Sequence, residues 1–375
     1  MIDNVKSLFD IPSDICFLNC AAQSPMLKTA KVSGDAGLAI KSNPWTLDPD
    51  FWSDRSGELR AILAEMIFAQ TTDVALIPST AYGVATAAKN LSMDKGQNIV
   101  LLEGQFPSNV IAWEQKAHAC GGSLNIVGRP ADYDWTPHVL EAISEKTAIV
   151  TLPPCHWTDG SKIDLVAVGQ RCRDKGAALV VDATQAVGAM AIDVSAIQPD
   201  FLICSSYKWL LSPVGSAFLY AAPKWQEGQP IEYNKFNCDD LDPSTGMHLP
   251  KAGALRFDMG GRNNFILLSM ALESAKQVRK WGADDVQKTL RPLTNLVAEM
   301  ATERGWSVPV GDKRVGHIIG ISFPNQNIDN LAKKLADEKV FVSERGAGIR
   351  VSPYLYNNAD DIEQLFGALD RFVDV

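Results

Sequence analysis

The sequence predicts an α/β protein: a large domain with a mostly parallel sheet between helices, then a smaller α+β C-terminal domain. Three observations carry this. Short apolar runs rich in β-branched residues recur through the middle of the chain, helical spacing with charged faces fills the gaps between them, and shorter, mixed elements close the sequence. The runs are VALIP (74–78), NIVLL (98–102), LNIV (124–127), AIVTL (148–152), ALVVD (178–182) and DFLIC (200–204). Stretches such as SNVIAWEQKAHACGG and LVAVGQRCRDKGA separate them, so the strands are read as parallel and covered on both faces. SAFLYAA (216–222) follows DFLIC too closely for a parallel crossover, so it is expected to be antiparallel. From 223 to 265 the chain is polar and punctuated by Pro and Gly, which reads as a long loop. A helix follows in NFILLSMALESAKQVRKWG, and another around 285–304. HIIGISF, a helix near 328–338, VFVSERG, IRVSP and a last helix from about 359 complete the small domain.

At 375 residues and 46% hydrophobic, the chain can bury the core of two domains. A net charge of −9 argues against nucleic acid or an anionic membrane surface as partner. No apolar run approaches the roughly 20 residues of a membrane span. The opening MIDNVKSLFDIPSD lacks the layout of a secretory signal. Seven cysteines, an odd number, fit reduced thiols and a cytoplasmic location. No CxxC or HxxxH spacing accompanies Cys155–His156, so no metal site is expected. The absence of G-x-G-x-x-G removes a nicotinamide-dependent oxidoreductase.

In open α/β sheets, ligands lie beyond the carboxyl ends of the strands. Ser79, Thr80 and Ala81 stand at such an end and open a helix, where hydroxyls and free amides make a phosphate cup or an ordinary cap. Phe106 follows NIVLL, placed to stack on a flat ring or simply to fill the core. The cluster His156-Trp157-Thr158-Asp159-Gly160 follows AIVTLPP and is richer than a turn requires. Asp182 and Gln185 follow ALVV, and Ser205, Tyr207 and Lys208 follow FLIC. Asp182 ends an apolar run, where a carboxylate is costly unless paired or capping a helix. Lys208 sits among Tyr207, Trp209, Leu210 and Leu211, neighbours that a solvated lysine would not have. Burial lowers the pKa of such an amine and makes it a nucleophile and base. An aspartate and a lysine at neighbouring strand ends are what pyridoxal phosphate requires, one for the pyridinium nitrogen and one for a Schiff base.

In chain order S-T-A, FPSN, HWTDG, DATQA, SSYKWL and ERGAGIRVSPYLYN, the sequence resembles the class V aminotransferase family, which are fold-type I pyridoxal-phosphate-dependent enzymes. The family includes cysteine desulfurases, selenocysteine lyase and the isopenicillin N epimerase group. The resemblance spans FLNCAAQSP (17–25) to SPYLYN (352–357). It implies an N-terminal arm (1–16) packing with the small domain, a large cofactor-binding domain (17–260) and a small domain (261–375). Lys208 then matches the Schiff-base lysine, Asp182 the partner of the ring nitrogen, Gln185 the residue near the ring hydroxyl and Ser205 a phosphate ligand. Phe106 stands where many members stack a histidine on the ring. Arg350, by itself readable as a surface-strand arginine, matches the arginine that binds the substrate carboxylate. Asn19, His156, Trp157 and the loop 232–263 are candidates for the side-chain pocket.

The departures from the family pattern are specific. Trp157 replaces an asparagine facing the ring hydroxyl, and an indole donates but cannot accept. Tyr207 replaces a common histidine, with a hydroxyl able to reach phosphate. The Gly-Thr-Pro segment that the neighbouring subunit offers to the phosphate is Gly260-Gly261-Arg262-Asn263, so Arg262 is expected to supply charge where the threonine hydroxyl is missing. No cysteine follows Cys238, which removes the nucleophilic thiol of a persulfide mechanism. The resulting expectation is a homodimer with shared active sites that deprotonates a small α-amino acid at Cα, foremost as a β-eliminating C–S or C–C lyase. The alternatives are an aminotransferase or epimerase of the same family, or a catalytically silent scaffold subunit.

Overall fold

A computed structural model describes residues 1–48, 51–309, 311–324 and 329–373. The central sheet has seven strands: β1 (Val74–Ile77), β2 (Asn98–Leu102), β3 (Ser123–Val127), β4 (Thr147–Leu152), β5 (Ala178–Asp182), β6 (Phe201–Ser205) and β7 (Ala217–Ala221). Their spatial order is β1-β7-β6-β5-β4-β2-β3. All neighbouring pairs are parallel except those of β7, which runs antiparallel to both β1 and β6, as its short connection requires.

The alternation along the strands sorts the core into two faces. Ala75, Ile77, Ile99, Ile149, Val180, Phe201, Ile203 and Leu219 pack on one side, with α3 (Thr80–Asn90) and α4 (Ile111–Cys120). Leu76, Val100, Leu102, Val150, Leu179, Val181, Leu202 and Phe218 pack on the other, with α5 (Trp135–Ala142) and α6 (Leu165–Lys175). Such double-sided burial is why these runs read as continuously apolar. Gly83 lets α3 lie close on the sheet, since a Cβ there would meet Ile203 and Ile77 at 2.7–2.8 Å.

Two helices precede the sheet, α1 (Lys28–Ser42) and α2 (Phe51–Glu65), and α7 (Phe265–Trp281) packs along both. The C-terminal core is built on α8 (Ala283–Glu303), α9 (Leu331–Asp337), α10 (Ala359–Leu369) and an antiparallel sheet of β8 (Ile319–Ser322), β9 (Ser343–Arg345) and β10 (Gly348–Val351), with β10 in the centre. The expected helix near 328–338 is α9, and residue 328 lies outside the described residues.

Two expectations are corrected here. The 223–265 stretch contains a hairpin, Cys238–Asp242 against Met247–Pro250, and a 3-10 turn at Gly253–Phe257. The hairpin is largely exposed, so no alternation marks it in the sequence. VFVSERG is divided between a short pairing of Val340–Phe341 with Cys16–Phe17 and the separate strand β9. By packing, the chain passes between cores later than 260/261: Leu268 to Val278 of α7 and Leu290 of α8 belong to the large core, whereas Val297 and Ala301 belong to the small one. The N-terminal arm is shared, with Phe9 in the large core and edge-on to Tyr356 at 5.1 Å, and Cys16 in the small one.

Candidate active site

The carboxyl ends of β1, β2, β4, β5 and β6 converge on a cavity of about 660 Å³, including the space at its mouth. Ser79, Thr80, Ala81, Phe106, Trp157, Asp182, Gln185, Ser205, Tyr207 and Lys208 all line it.

At the end formed by β1 and α3, Ser79 Oγ caps the helix by accepting from Tyr82 N (3.2 Å), so the capping reading holds for that hydroxyl. Beside it lie three coupled hydroxyls. Thr80 Oγ1 is 2.8 Å from Ser205 Oγ and 3.0 Å from Thr184 Oγ1, and Ser205 N donates to Thr184 Oγ1 (3.1 Å). Hydroxyl clusters at a helix N-terminus suit an anion.

Asp182 is 7% exposed and its bonds come from Thr184, whose N donates at 3.1 Å and whose side chain also holds the carboxylate. The residues after it form turns rather than a helix, so it caps none. Burial raises its pKa. Lys208 is 5% exposed, and among the described residues no hydrogen bond or ion pair holds its ammonium. Its Nζ lies 5.3 Å from the Phe106 ring centre and 5.6 Å from that of Tyr207. Burial, then the charge of Arg350, lowers its pKa to about 8, against the pull of Asp182. A buried acid and an unpaired buried amine thus face one space, each short of a partner.

Phe106 meets Trp157 edge-on at 5.4 Å, and the indole Nε1 donates to Gly104 O at 2.7 Å. The donor for which Trp157 stood out is therefore already used. Gln185 is half committed: Oε1 accepts from Trp209 Nε1 (2.8 Å) and Nε2 donates to Ala21 O (3.0 Å), leaving one N–H and one lone pair. Arg350, on β10, is 1% exposed; Nη1 donates to Trp157 O (2.9 Å), while among the described residues Nε and Nη2 have no partner.

Four predicted residues do not line the cavity: Arg350, which stands behind Trp157, and His156, Asn19 and Arg262. His156 is buried, stacked on Trp135 at 5.3 Å, with Nε2 on Glu103 O (3.1 Å) and Nδ1 near Thr158 Oγ1 (2.7 Å). It braces the turn that ends at Gly160, whose φ of +78° is one that glycine adopts freely. Asn19 is held by Ser343 Oγ (2.7 Å) and Val342 O (3.4 Å) behind β9. Arg262 pairs with Asp258 at 2.8 Å within its own chain, away from the cavity.

Five lining residues went unpredicted: Gln105, Ser108, Asn109, Pro153 and Thr184. Asn109 is 0% exposed. Its Oδ1 accepts from Trp113 Nε1 (3.1 Å) and Thr151 Oγ1 (2.7 Å), and among the described residues its Nδ2 is without a partner. Because an indole only donates, the oxygen is fixed and the free amide faces the cavity side. The signal was present in FPSN and in a threonine inside the apolar run AIVTL.

Among the described residues, no three His, Cys, Asp or Glu side chains group to hold a metal ion, and no helix is long and apolar enough to cross a membrane. Cys20 and Cys155 are buried, and burial pushes both thiols up, away from thiolate chemistry.

His156 and His317 give this region a pH dependence. Burial holds each near 4, against about 6.5 in an unfolded chain. The unfolded chain then binds more protons between those values, so stability is lost as pH falls from about 6.5 through 4. With two such groups the slope is at most about 2.7 kcal/mol per pH unit. Denaturant midpoints at pH 7.5, 6 and 5 measure it, and a flat profile would exclude the two imidazoles as its source.

Comparison with known proteins follows this geometry. The pattern described as Aminotransferase class-V matches residues 53–365. A Schizosaccharomyces pombe protein described as an uncharacterized aminotransferase is 25% identical, covering 96% of this chain and 92% of its own. A probable cysteine desulfurase of Methanothermobacter thermautotrophicus is 25% identical over 84% of this chain and 82% of its own. Among solved structures, the apo cysteine desulfurase of Thermococcus onnurineus NA1 superposes with a TM-score of 0.84 at 18% identity, covering 100% of this chain and 99% of that one. A cystine C–S lyase in complex with its product, cysteine persulfide, superposes with a TM-score of 0.87 at 15% identity, covering 97% and 99%. At these identities the solved structures share the fold.

Proposed function

Because the chain belongs to the class-V aminotransferase family, we propose that it is a pyridoxal-5′-phosphate-dependent enzyme acting at Cα of a small α-amino acid, foremost as a β-eliminating lyase. The observation that carries this is the unpaired Lys208 ammonium sharing a cavity with the buried Asp182 carboxyl.

The donor set fits the cofactor. Asp182 suits a protonated ring nitrogen, which would compensate its burial. The hydroxyls of Thr80, Thr184 and Ser205, with the amides at the start of α3, suit the phosphate. Lys208 suits the aldehyde, Phe106 a ring face, and the free Asn109 Nδ2 a cofactor oxygen. When bound, the cofactor supplies an electron sink for the pair left by a bond breaking at Cα.

The protein's own groups do the rest. Lys208, with a pKa near 8, is deprotonated in a useful fraction at neutral pH and so serves first as anchor and then as the base at Cα. Arg350 offers Nε and Nη2 to a carboxylate, fixing the amino acid by a bidentate fork. Trp157 and Phe106 close one wall against water. With no cysteine after Cys238, and Cys20 and Cys155 buried as thiols, sulfur cleaved from a substrate leaves with the product rather than on the protein. Similarity to a relative described as an aminotransferase supports transamination as the second reading.

We further propose a cytoplasmic homodimer, with no nucleic acid or membrane partner. Its seven cysteines are free thiols, and the 238–250 hairpin exposes Leu241, Met247 and Leu249, a patch suited to a second copy. The division into arm, large and small domains is retained as a proposal, with the boundary moved into α8.

Titrating the protein with pyridoxal phosphate, then with amino acids, tests the function in the visible spectrum. Pyruvate and ammonia released from a β-substituted amino acid indicate the lyase, and a stably aminated cofactor indicates the aminotransferase. A protein that never develops a visible band is the silent scaffold. Arg350→Ala is expected to raise the amino acid concentration for half-response by roughly 10- to 100-fold, as a charged fork is worth about 1.5–3 kcal/mol. An unchanged concentration would remove Arg350 from the site.

A further inference from the structure

Gln185 lines the cavity and is held at three points by three parts of the chain. Oε1 accepts from the indole Nε1 of Trp209 (2.8 Å), and Nε2 donates to Ala21 O (3.0 Å). Its main-chain O lies 2.7 Å from Nε2 of His317, just before β8. The side-chain amide cannot be turned over. Reversed, it would set carbonyl against carbonyl at Ala21 and N–H against N–H at Trp209. Trp209 is wholly buried, met edge-on by His317 at 4.5 Å and flanked by Tyr354 at 6.0 Å. The tautomer of His317 is settled by the same logic. Gln287 Oε1 accepts from Gly316 N (2.8 Å), so its Nε2 donates to His317 Nδ1 (2.5 Å), and His317 Nε2–H is left to donate to Gln185 O. A donor on the oxygen of an amide draws charge from its nitrogen, which makes the remaining Gln185 N–H the stronger donor.

We propose that Trp209 is a positioning residue, whose indole fixes the sense of the Gln185 amide so that an N–H, and not the carbonyl, meets the ring oxygen of pyridoxal phosphate. Trp209 does not line the cavity and acts through Gln185 alone. An N–H aimed at that oxygen favours its anion, and so lowers the pH at which the bound cofactor gives up its proton. This rests on the reading of the cavity as a pyridoxal phosphate site.

The test reads the pH midpoint of the visible band of the loaded protein, not turnover. Asp182, Tyr207 and Lys208 face the same space and Arg350 stands behind Trp157, and all four are the same in every variant. Trp209→Phe keeps a ring against His317 and Tyr354 but removes the N–H. It is expected to raise the midpoint by about one pH unit, roughly the worth of a hydrogen bond to a charged group. Gln185→Met should raise it by as much, and the double variant no further, because both changes remove one interaction. A midpoint within about 0.3 unit of wild type in Trp209→Phe, or two shifts that add in the double variant, would overturn the inference while leaving the cofactor reading standing. If Trp209→Phe does not fold, the indole N–H resonance of Trp209 in the wild type decides. Movement of that resonance across the midpoint of the band supports the inference, and a resonance that stays still overturns it. A protein that develops no visible band would overturn the proposed function and this inference with it.

Discussion

Replacing Lys208 by alanine is expected to abolish the borohydride-fixable attachment of pyridoxal phosphate and to lower turnover by more than the roughly 10²–10⁴-fold that a positioned base supplies by itself. The reason is that no second amine is available. Arg345 and Arg350 are the other cations near the ammonium, and neither is a nucleophile. Mass spectrometry after reduction checks attachment, and a stopped assay checks rate. A pyridoxyl adduct on another residue, or turnover within tenfold of wild type, would displace Lys208 from the centre of the mechanism. Fold should survive, since the ammonium makes no bond that the apo protein needs.

Asp258→Ala is expected to cost about 3–5 kcal/mol of stability, the usual penalty for removing one partner of a buried ion pair. Both its oxygens are engaged: Oδ1 accepts from Arg60 Nη1 (3.0 Å) and Leu76 N (2.8 Å), Oδ2 from Arg60 Nη2 (2.7 Å) and Arg262 Nη1 (2.8 Å). Arg60 also donates to Val74 O, and Met259 N to Leu76 O (2.9 Å). This cluster covers the open edge of β1, the strand that delivers Ser79 to Ala81 to the cavity. Denaturant unfolding measures the loss, and Asp258→Asn should lose less because it keeps an acceptor for Leu76 N. A loss under about 1 kcal/mol would mean that the edge is held by other contacts.

Most of the cavity was legible because it is built from charges in costly places. A carboxylate ending ALVVD and a lysine among Tyr207, Trp209 and Leu210 break the apolar pattern, and only chemistry or pairing explains them. Thr184 and Asn109 break no pattern, because small polar residues after a strand are also what turns require. His156 looked functional for its neighbours in sequence, yet its partners, Trp135 and Glu103 O, are remote in the chain and satisfy it. Arg262 misled for another reason: its counter-charge, Asp258, stands only four residues before it, inside a stretch that reads as loop. In the fold, the double-sided strands were plain, whereas α1 was not. It turns Gly34 and Gly37 toward α7, and glycines that permit close helix contact leave no apolar stripe to read.

Trp157 is held from both halves of the molecule at once. Its indole is bonded to Gly104 O beyond β2, and its carbonyl to Arg350 of the C-terminal sheet. One residue is therefore a wall of the cavity and a support of Arg350. Whatever order the cofactor imposes on that wall is order that the amino acid need not impose again. Linkage makes this reciprocal: an amino acid resting on Arg350 must tighten binding of the cofactor in proportion to the order they share. The two ligands are thermodynamic allies before any bond between them is made or broken.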